Sequence, residues 1–206
     1  MGLLRTYFNN TRKPEGPLGR SMLSGMNREH ARVSDWGMAH LRGVQAARIV
    51  ELGCGGGRNV GELLQRYPNA YLVAVDYSSE SLAKTARLNG PLVAQGRCEL
   101  LEADVSQLPM DDATFDLATA FETVYFWPGP VRSFAEVRRV LAPGGTFLIV
   151  NESDGMNPAD EKWKRIIDGL NIYTPGQLQV FLNQAGFSHI EVDHDRKAHR
   201  LCVLAR

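Results

Sequence analysis

Cysteine is scarce. Cys54, Cys98 and Cys202 are the three in 206 residues, and they stand in no C-x-x-C spacing. An odd, scattered set excludes a disulfide framework and a thiolate zinc site, and it suits free thiols in a reducing cytoplasm. No metal is expected. Long apolar runs are missing too: no stretch reaches the 18 residues of a membrane span, and the start lacks the signal-peptide pattern, so no membrane partner is expected. Met1-Gly2-Leu3-Leu4-Arg5-Thr6 fits the loose myristoylation pattern, a short match with a plain surface reading beside it. Net charge is also absent, with 23 Lys and Arg against 23 Asp and Glu. That removes the general electrostatic case for nucleic acid. The balance is uneven locally. Residues 1–48 hold eight basic and three acidic side chains, whereas residues 98–131 hold seven acidic and no basic ones. An acidic lip beside a cationic ligand and an ordinary solvated face both account for the second run.

What is present is an ordinary core-forming composition, 44% hydrophobic and 22% charged, in a length that suits one compact domain. The organising stretch runs from Arg48 to Val60. Ile49, Val50 and Leu52 read as a buried parallel strand, while Val60, Leu63, Leu64 and Tyr67 repeat as a helix that Pro68 stops. Gly53, Gly55, Gly56 and Gly57 lie between them. Glycine permits positive φ and close approach of a ligand to the backbone, and the helix N-terminus that follows offers free N–H groups. Asp76 closes the next apolar strand, Tyr71 to Val75, where a carboxylate can accept from both hydroxyls of a ribose. Glu51 sits inside the first strand, and a buried carboxylate needs a cationic or hydrogen-bonding partner.

Residues 1–25 show no period and are rich in Gly, Pro, Asn and Arg, which predicts an arm or loop. Asn27 is placed to cap a helix running to about Leu41. Further along, Ser78 or Ser79 starts a helix ended by Asn89-Gly90-Pro91. Strands are expected at 99–101, 115–121 and 146–150, and two more near 189–192 and 201–205. Helices are expected around Val131 to Leu141, Trp163 to Leu170 and Leu178 to Ala185. Glu51, Asp76, Asp104, Glu122 and Asn151 all fall at carboxyl ends of strands, the rim on which open α/β sheets bind ligands.

Glu51-Leu-Gly-Cys-Gly-Gly-Gly57, Asp76, Ala103-Asp104 and Leu141-Ala-Pro-Gly-Gly145 resemble the ordered motifs of class I S-adenosylmethionine-dependent methyltransferases, over residues 45–152. A nicotinamide-binding G-x-G-x-x-G fails, because counting from Gly53 puts Arg58 at the third glycine and counting from Gly55 puts Val60 there. The resemblance implies a Rossmann-like, doubly wound α/β fold. Its seven-stranded sheet is mainly parallel, with helices on both faces and an antiparallel last strand. Residues 1–44 would be an arm and helix covering the site, and residues 45–206 the methyltransferase domain. The implied cofactor is S-adenosylmethionine, with Glu51, Gly53, Cys54, Gly55, Gly57, Asp76, Tyr77, Ala103, Asp104, Val105, Phe121 and Glu122 at its site and Asp104 against the adenine amino group. Cys54 also reads simply as a small residue in a tight loop.

Methyl transfer from a sulfonium needs alignment and exclusion of water more than a strong base. If a proton must leave the acceptor, Glu122, Tyr125, His30 and His40 are the candidates, and Trp36 or Tyr7 could also reach a substrate from the N-terminal segment. For each, packing or a surface position is the plainer reading. The segment Glu122 to Trp127 is expected to form the acceptor pocket, with Tyr125, Phe126 and Trp127 either stacked on a flat acceptor or buried in the core. A small-molecule acceptor is expected. A protein substrate, and a regulatory protein that binds the cofactor without turnover, stay open, and the sequence carries no signal for oligomeric state.

Overall fold

A computed structural model describes residues 8–206. The myristoylation pattern and Tyr7 lie outside the described residues. Among the described residues, α1 (Gly16–Glu29) and α2 (Ala31–Met38) lead toward the first strand. Seven strands among the described residues then form one sheet: β1 (Arg48–Leu52), β2 (Tyr71–Asp76), β3 (Cys98–Glu102), β4 (Phe115–Phe121), β5 (Leu141–Asn151), β6 (Ile190–Asp195) and β7 (Arg200–Ala205). Their spatial order is β3-β2-β1-β4-β5-β7-β6. The first five are parallel, and β7 runs antiparallel to both β5 and β6. The order reverses between β1 and β4, which opens a crevice at their carboxyl ends.

Between strands lie α3 (Arg58–Arg66), α4 (Ser79–Leu88), α5 (Gly90–Ala94), α6 (Pro130–Val140), α7 (Asp160–Ile166) and α8 (Pro175–Gln184). Alternation along each strand sends side chains to two cores. Val50 and Leu52 join Phe134, Phe147, Leu178 and Phe187 beneath α6 and α8. Ile49 joins Val33, Val60, Leu63 and Leu64 beneath α2 and α3. Helix ends follow local chemistry: Ser78 caps α4 through Ser81 N, and Thr174 with Gln177 makes a capping box on α8. None of the described helices is long and apolar enough to cross a membrane.

The N-terminal segment departs from expectation. Residues 16–25 are helical, because Pro17 occupies the first turn, where its missing N–H is harmless, and Met22 and Leu23 bury against the domain. Asn27 therefore lies inside α1 and caps nothing; its Nδ2 instead donates to the Gly56 carbonyl at 2.9 Å. The helix breaks at His30, and α2 starts anew at Ala31. Smaller differences are that β5 begins at Leu141 rather than 146, and α7 ends at Ile166, short of Leu170.

Candidate active site

The glycine loop is tied down before it turns. Gly53 and Cys54 both donate to the Val75 carbonyl, at 2.8 and 2.9 Å. At Gly53 φ is +81°, and a Cβ there would run into the Thr123 hydroxyl, so only glycine fits. At Gly55 φ is +52°, its N–H donates to Asp76 Oδ2 at 2.9 Å, and an added Cβ would meet nothing nearer than 3.9 Å. Backbone alone is thus the wall of the cavity at Gly55. Gly57 turns the other way and abuts Thr85 and Asn89 beside α4.

In front of this loop lies a cavity of about 290 Å³. It is lined by Gly53, Gly55, Asp76, Tyr77, Ala103, Asp104, Val105, Phe121 and Glu122, so nine of the expected cofactor positions share one space. Asp76 is almost fully buried. Burial pushes its carboxyl up, against the backbone N–H groups of Ser78, at 2.9 Å, and Gly55. Asp104 Oδ1 accepts from Ser106 N at 2.8 Å. The Tyr77 hydroxyl donates to the Arg12 carbonyl, which joins the rim to the N-terminal segment. Thr11, Arg12, Pro14, Leu23 and Met26 of that segment line the same space. Two carboxylates, an apolar wall at Val105 and Phe121, and a bare backbone turn fit an adenosine: ribose hydroxyls and an adenine amino group are donors, and the base is flat and apolar.

Three expected residues line this cavity nowhere. Glu51, 1% exposed, sits opposite Thr119 in the β1–β4 register and accepts from its hydroxyl, so it has a partner within the protein. Burial pushes its carboxyl up to about 8. Cys54 turns its sulfur to the Thr85 hydroxyl, 3.5 Å away behind the loop, and Gly57 serves the packing of α4.

A second cavity, about 220 Å³, adjoins the first and shares Thr11, Met26, Glu122 and Phe126 with it. Here His30 Nε2 lies 3.3 Å from Glu152 Oε1. Glu122, held at φ +59° as β4 ends, accepts from the Glu152 backbone N–H and from the Tyr125 hydroxyl at 3.3 Å. Ser153 N donates to that same hydroxyl at 3.1 Å. Burial works against the His30 charge but Glu152 and Glu122 outweigh it, raising the imidazole to about 9. Burial, then the Glu152 charge, push Glu122 up to about 8, and Glu152 is lowered by its bond to His30. One ligand atom from each of His30, Glu122 and Glu152 lies within 4.8 Å of the others, which is cation-sized spacing. Beyond the expected residues, Met22, Met26, Trp163, Ile167 and Ile172 complete the walls. The period of Met22, Leu23 and Met26 was the available signal for α1; nothing in sequence places α7 here.

Other candidates are not brought to either cavity. His40 Nε2 lies 2.8 Å from Asp193 Oδ2 on β6, with its ring edge-on to Trp36 at 5.0 Å. Trp36 itself is covered by the Arg200 guanidinium at 4.4 Å. Asn151, also expected on the rim, is fully buried away from both cavities. Trp127 is 5% exposed, stacked on Phe147 at 6.0 Å and edge-on to Phe134 at 5.8 Å. It is core, touching the first cavity and not the second.

A family model described as a methyltransferase domain matches residues 50–149. The chain is 30% identical over 160 residues to a malonyl-[acyl-carrier protein] O-methyltransferase of Geobacter sulfurreducens, covering 73% of this chain and 59% of that protein. It is 35% identical over 154 residues to a trans-aconitate 2-methyltransferase of Streptomyces avermitilis, covering 68% and 57%. The chain thus spans less than two thirds of the length of these relatives. The protein solved with the Haloferax volcanii Trm112 methyltransferase activator superposes with a TM-score of 0.82 at 18% identity, covering 98% of this chain and 96% of that one, a likeness of fold. With the motif order and the strand order, these matches place the chain in the class I S-adenosylmethionine-dependent methyltransferase family.

Proposed function

We propose that this chain binds S-adenosylmethionine in the first cavity and transfers its methyl group to a small-molecule acceptor in the second. The observation that carries the reading is the shared wall: Thr11, Met26, Glu122 and Phe126 border both spaces, so a donor in one faces an acceptor in the other. Asp76 would hold the ribose, Asp104 the adenine amino group, and the Gly53–Gly55 backbone the amino-acid part. The bound sulfonium supplies an electrophilic methyl group. Residues of the chain do the rest. Thr11 to Met26 cover the site as a lid and exclude water, Phe126 and Met26 align the acceptor, and Glu122, beside the His30–Glu152 pair, is where a proton from the acceptor would go. The relatives' acceptors, malonyl-[acyl-carrier protein] and trans-aconitate, differ from one another, which leaves the acceptor to the second cavity's own chemistry. Three buried free thiols suit a reducing cytoplasm as its location.

Calorimetry with S-adenosylmethionine and with NAD, followed by a screen of acceptors with methyl-labelled donor, tests this reading. Binding of the first ligand alone, with label passing to a small molecule, is expected. Binding of NAD, or bound donor with no transfer to any small molecule, would count against it.

A further inference from the structure

The second cavity has a marked chemical bias. Three carboxylates line it, Glu29, Glu122 and Glu152, against one imidazole, His30, and no lysine or arginine is in its described lining. Arg12 borders the first cavity only, and Lys162, 5.5 Å over the Trp163 ring, is outside the lining. His30 is paired with Glu152 at 3.3 Å and lies near Glu122 as well, so one imidazole faces three carboxylates. Much of the remaining surface is apolar or aromatic, including Met26, Phe126, Trp163 and Ile172, with Thr11, Tyr125 and Ser153 as its polar residues. An anion placed here would meet three carboxylates and one imidazolium, which Glu152 already pairs. A cation would meet carboxylates and the aromatic rings of Phe126 and Trp163, both of which can attract it.

Resting on the two-cavity reading above, we propose that the acceptor is an organic amine with an apolar body, seated as its ammonium ion against Glu122 and Glu152, and that acceptors carrying a carboxylate in its place are rejected. The spacing suits that ion: a carboxylate oxygen of Glu122 and one of Glu152 lie within 4.8 Å of each other. For transfer, the ammonium gives one proton to Glu122. The freed nitrogen lone pair then forms a bond to the methyl carbon while the carbon–sulfur bond breaks and its electron pair stays on sulfur. A methylated ammonium and a neutral thioether result. Aromatic rings near the nitrogen favour its charge at every stage.

The test titrates the whole chain, with and without S-adenosylhomocysteine, using phenethylamine and tryptamine against their shape-matched acids, 3-phenylpropionate and indole-3-propionate. At least one amine is expected to bind tenfold or more tightly than its acid. Glu122→Gln and Glu152→Gln should each weaken that amine about tenfold, and Glu152→Gln should leave S-adenosylmethionine affinity within about threefold, because Glu152 does not line the first cavity. Acids binding as tightly as amines, no amine binding, or amine affinity indifferent to both substitutions would overturn the inference. Methyl-labelled donor, run in parallel, separates the two ideas. Selective amine binding without label transfer keeps the amine site and sinks methyl transfer to small molecules. Label passing to a non-amine, with no amine preference, does the reverse.

Discussion

His30 Nε2 lies 3.3 Å from Glu152 Oε1, a contact that ties the end of α1 to the end of β5 across the mouth of the second cavity. His30 is raised from 6.5 to about 9 and Glu122 from 4.5 to about 8, so the folded state holds both protons longer than the unfolded chain. Stability from His30 is full below about pH 6.5 and is lost as pH rises through about 9; that from Glu122 is lost as pH rises from about 4.5 through about 8. Glu152, lowered, acts oppositely and loses its share as pH falls below the ordinary carboxylate range. Melting temperature should therefore fall between about pH 6.5 and 9. His30→Gln should lower it at pH 6 by ~2–4 °C, the equivalent of about 1 kcal/mol for a half-exposed pair, and by less at pH 9.5. A flat wild-type profile over that window would refute the assigned shifts.

Asp76 both closes the cavity and holds Gly55 N–H at 2.9 Å. Asp76→Ala should weaken S-adenosylmethionine binding by ~2 kcal/mol, roughly 30-fold, by calorimetry. Unchanged affinity would place the ribose elsewhere.

Two glycines two residues apart should fail differently. Both glycines hold positive φ, so a side chain at either is strained; at Gly55 it otherwise meets open cavity, and Gly55→Ala should weaken cofactor binding with a modest loss of stability, whereas at Gly53 it also meets Thr123, so Gly53→Ala should lower the melting temperature further. Matching effects on stability in the two variants would contradict the geometry of the loop.

Neighbouring aromatics should separate in the same way. Trp127 stacks on Phe147 in the core, so Trp127→Ala should cost about 3–5 kcal/mol of stability. Phe126, half-buried between the cavities, should cost less on truncation yet lower methyl transfer tenfold or more. Paired thermal melts and turnover on both variants decide it.

Much of the first cavity was legible because it is local. A strand, a glycine turn and a helix lie within residues 48–66, Asp76 ends β2, and Asp104 lies two residues beyond the end of β3. The second cavity was less legible because it is assembled from distant pieces: α1, the end of β4, the end of β5 and α7 meet only in three dimensions. His30 and His40 look alike in sequence, ten residues apart, yet the break at His30 turns one to Glu152 and leaves the other against Asp193. Glu51 illustrates a different limit. Its need for a partner was readable, but the partner is the facing Thr119, which only the β1–β4 register reveals. Trp127 follows a strand as Phe126 does, and nothing short of the packing of Phe134 and Phe147 assigns it to the core.

The most direct measurement is a crystal structure of the chain soaked or grown with S-adenosylmethionine. The account predicts the adenine beside Asp104, the ribose hydroxyls on Asp76, and the methyl-bearing sulfur at the Glu122 end, facing the second cavity. A cofactor bound with its adenine at Glu122, or bound away from the cavity in front of Gly53 and Gly55, would contradict it.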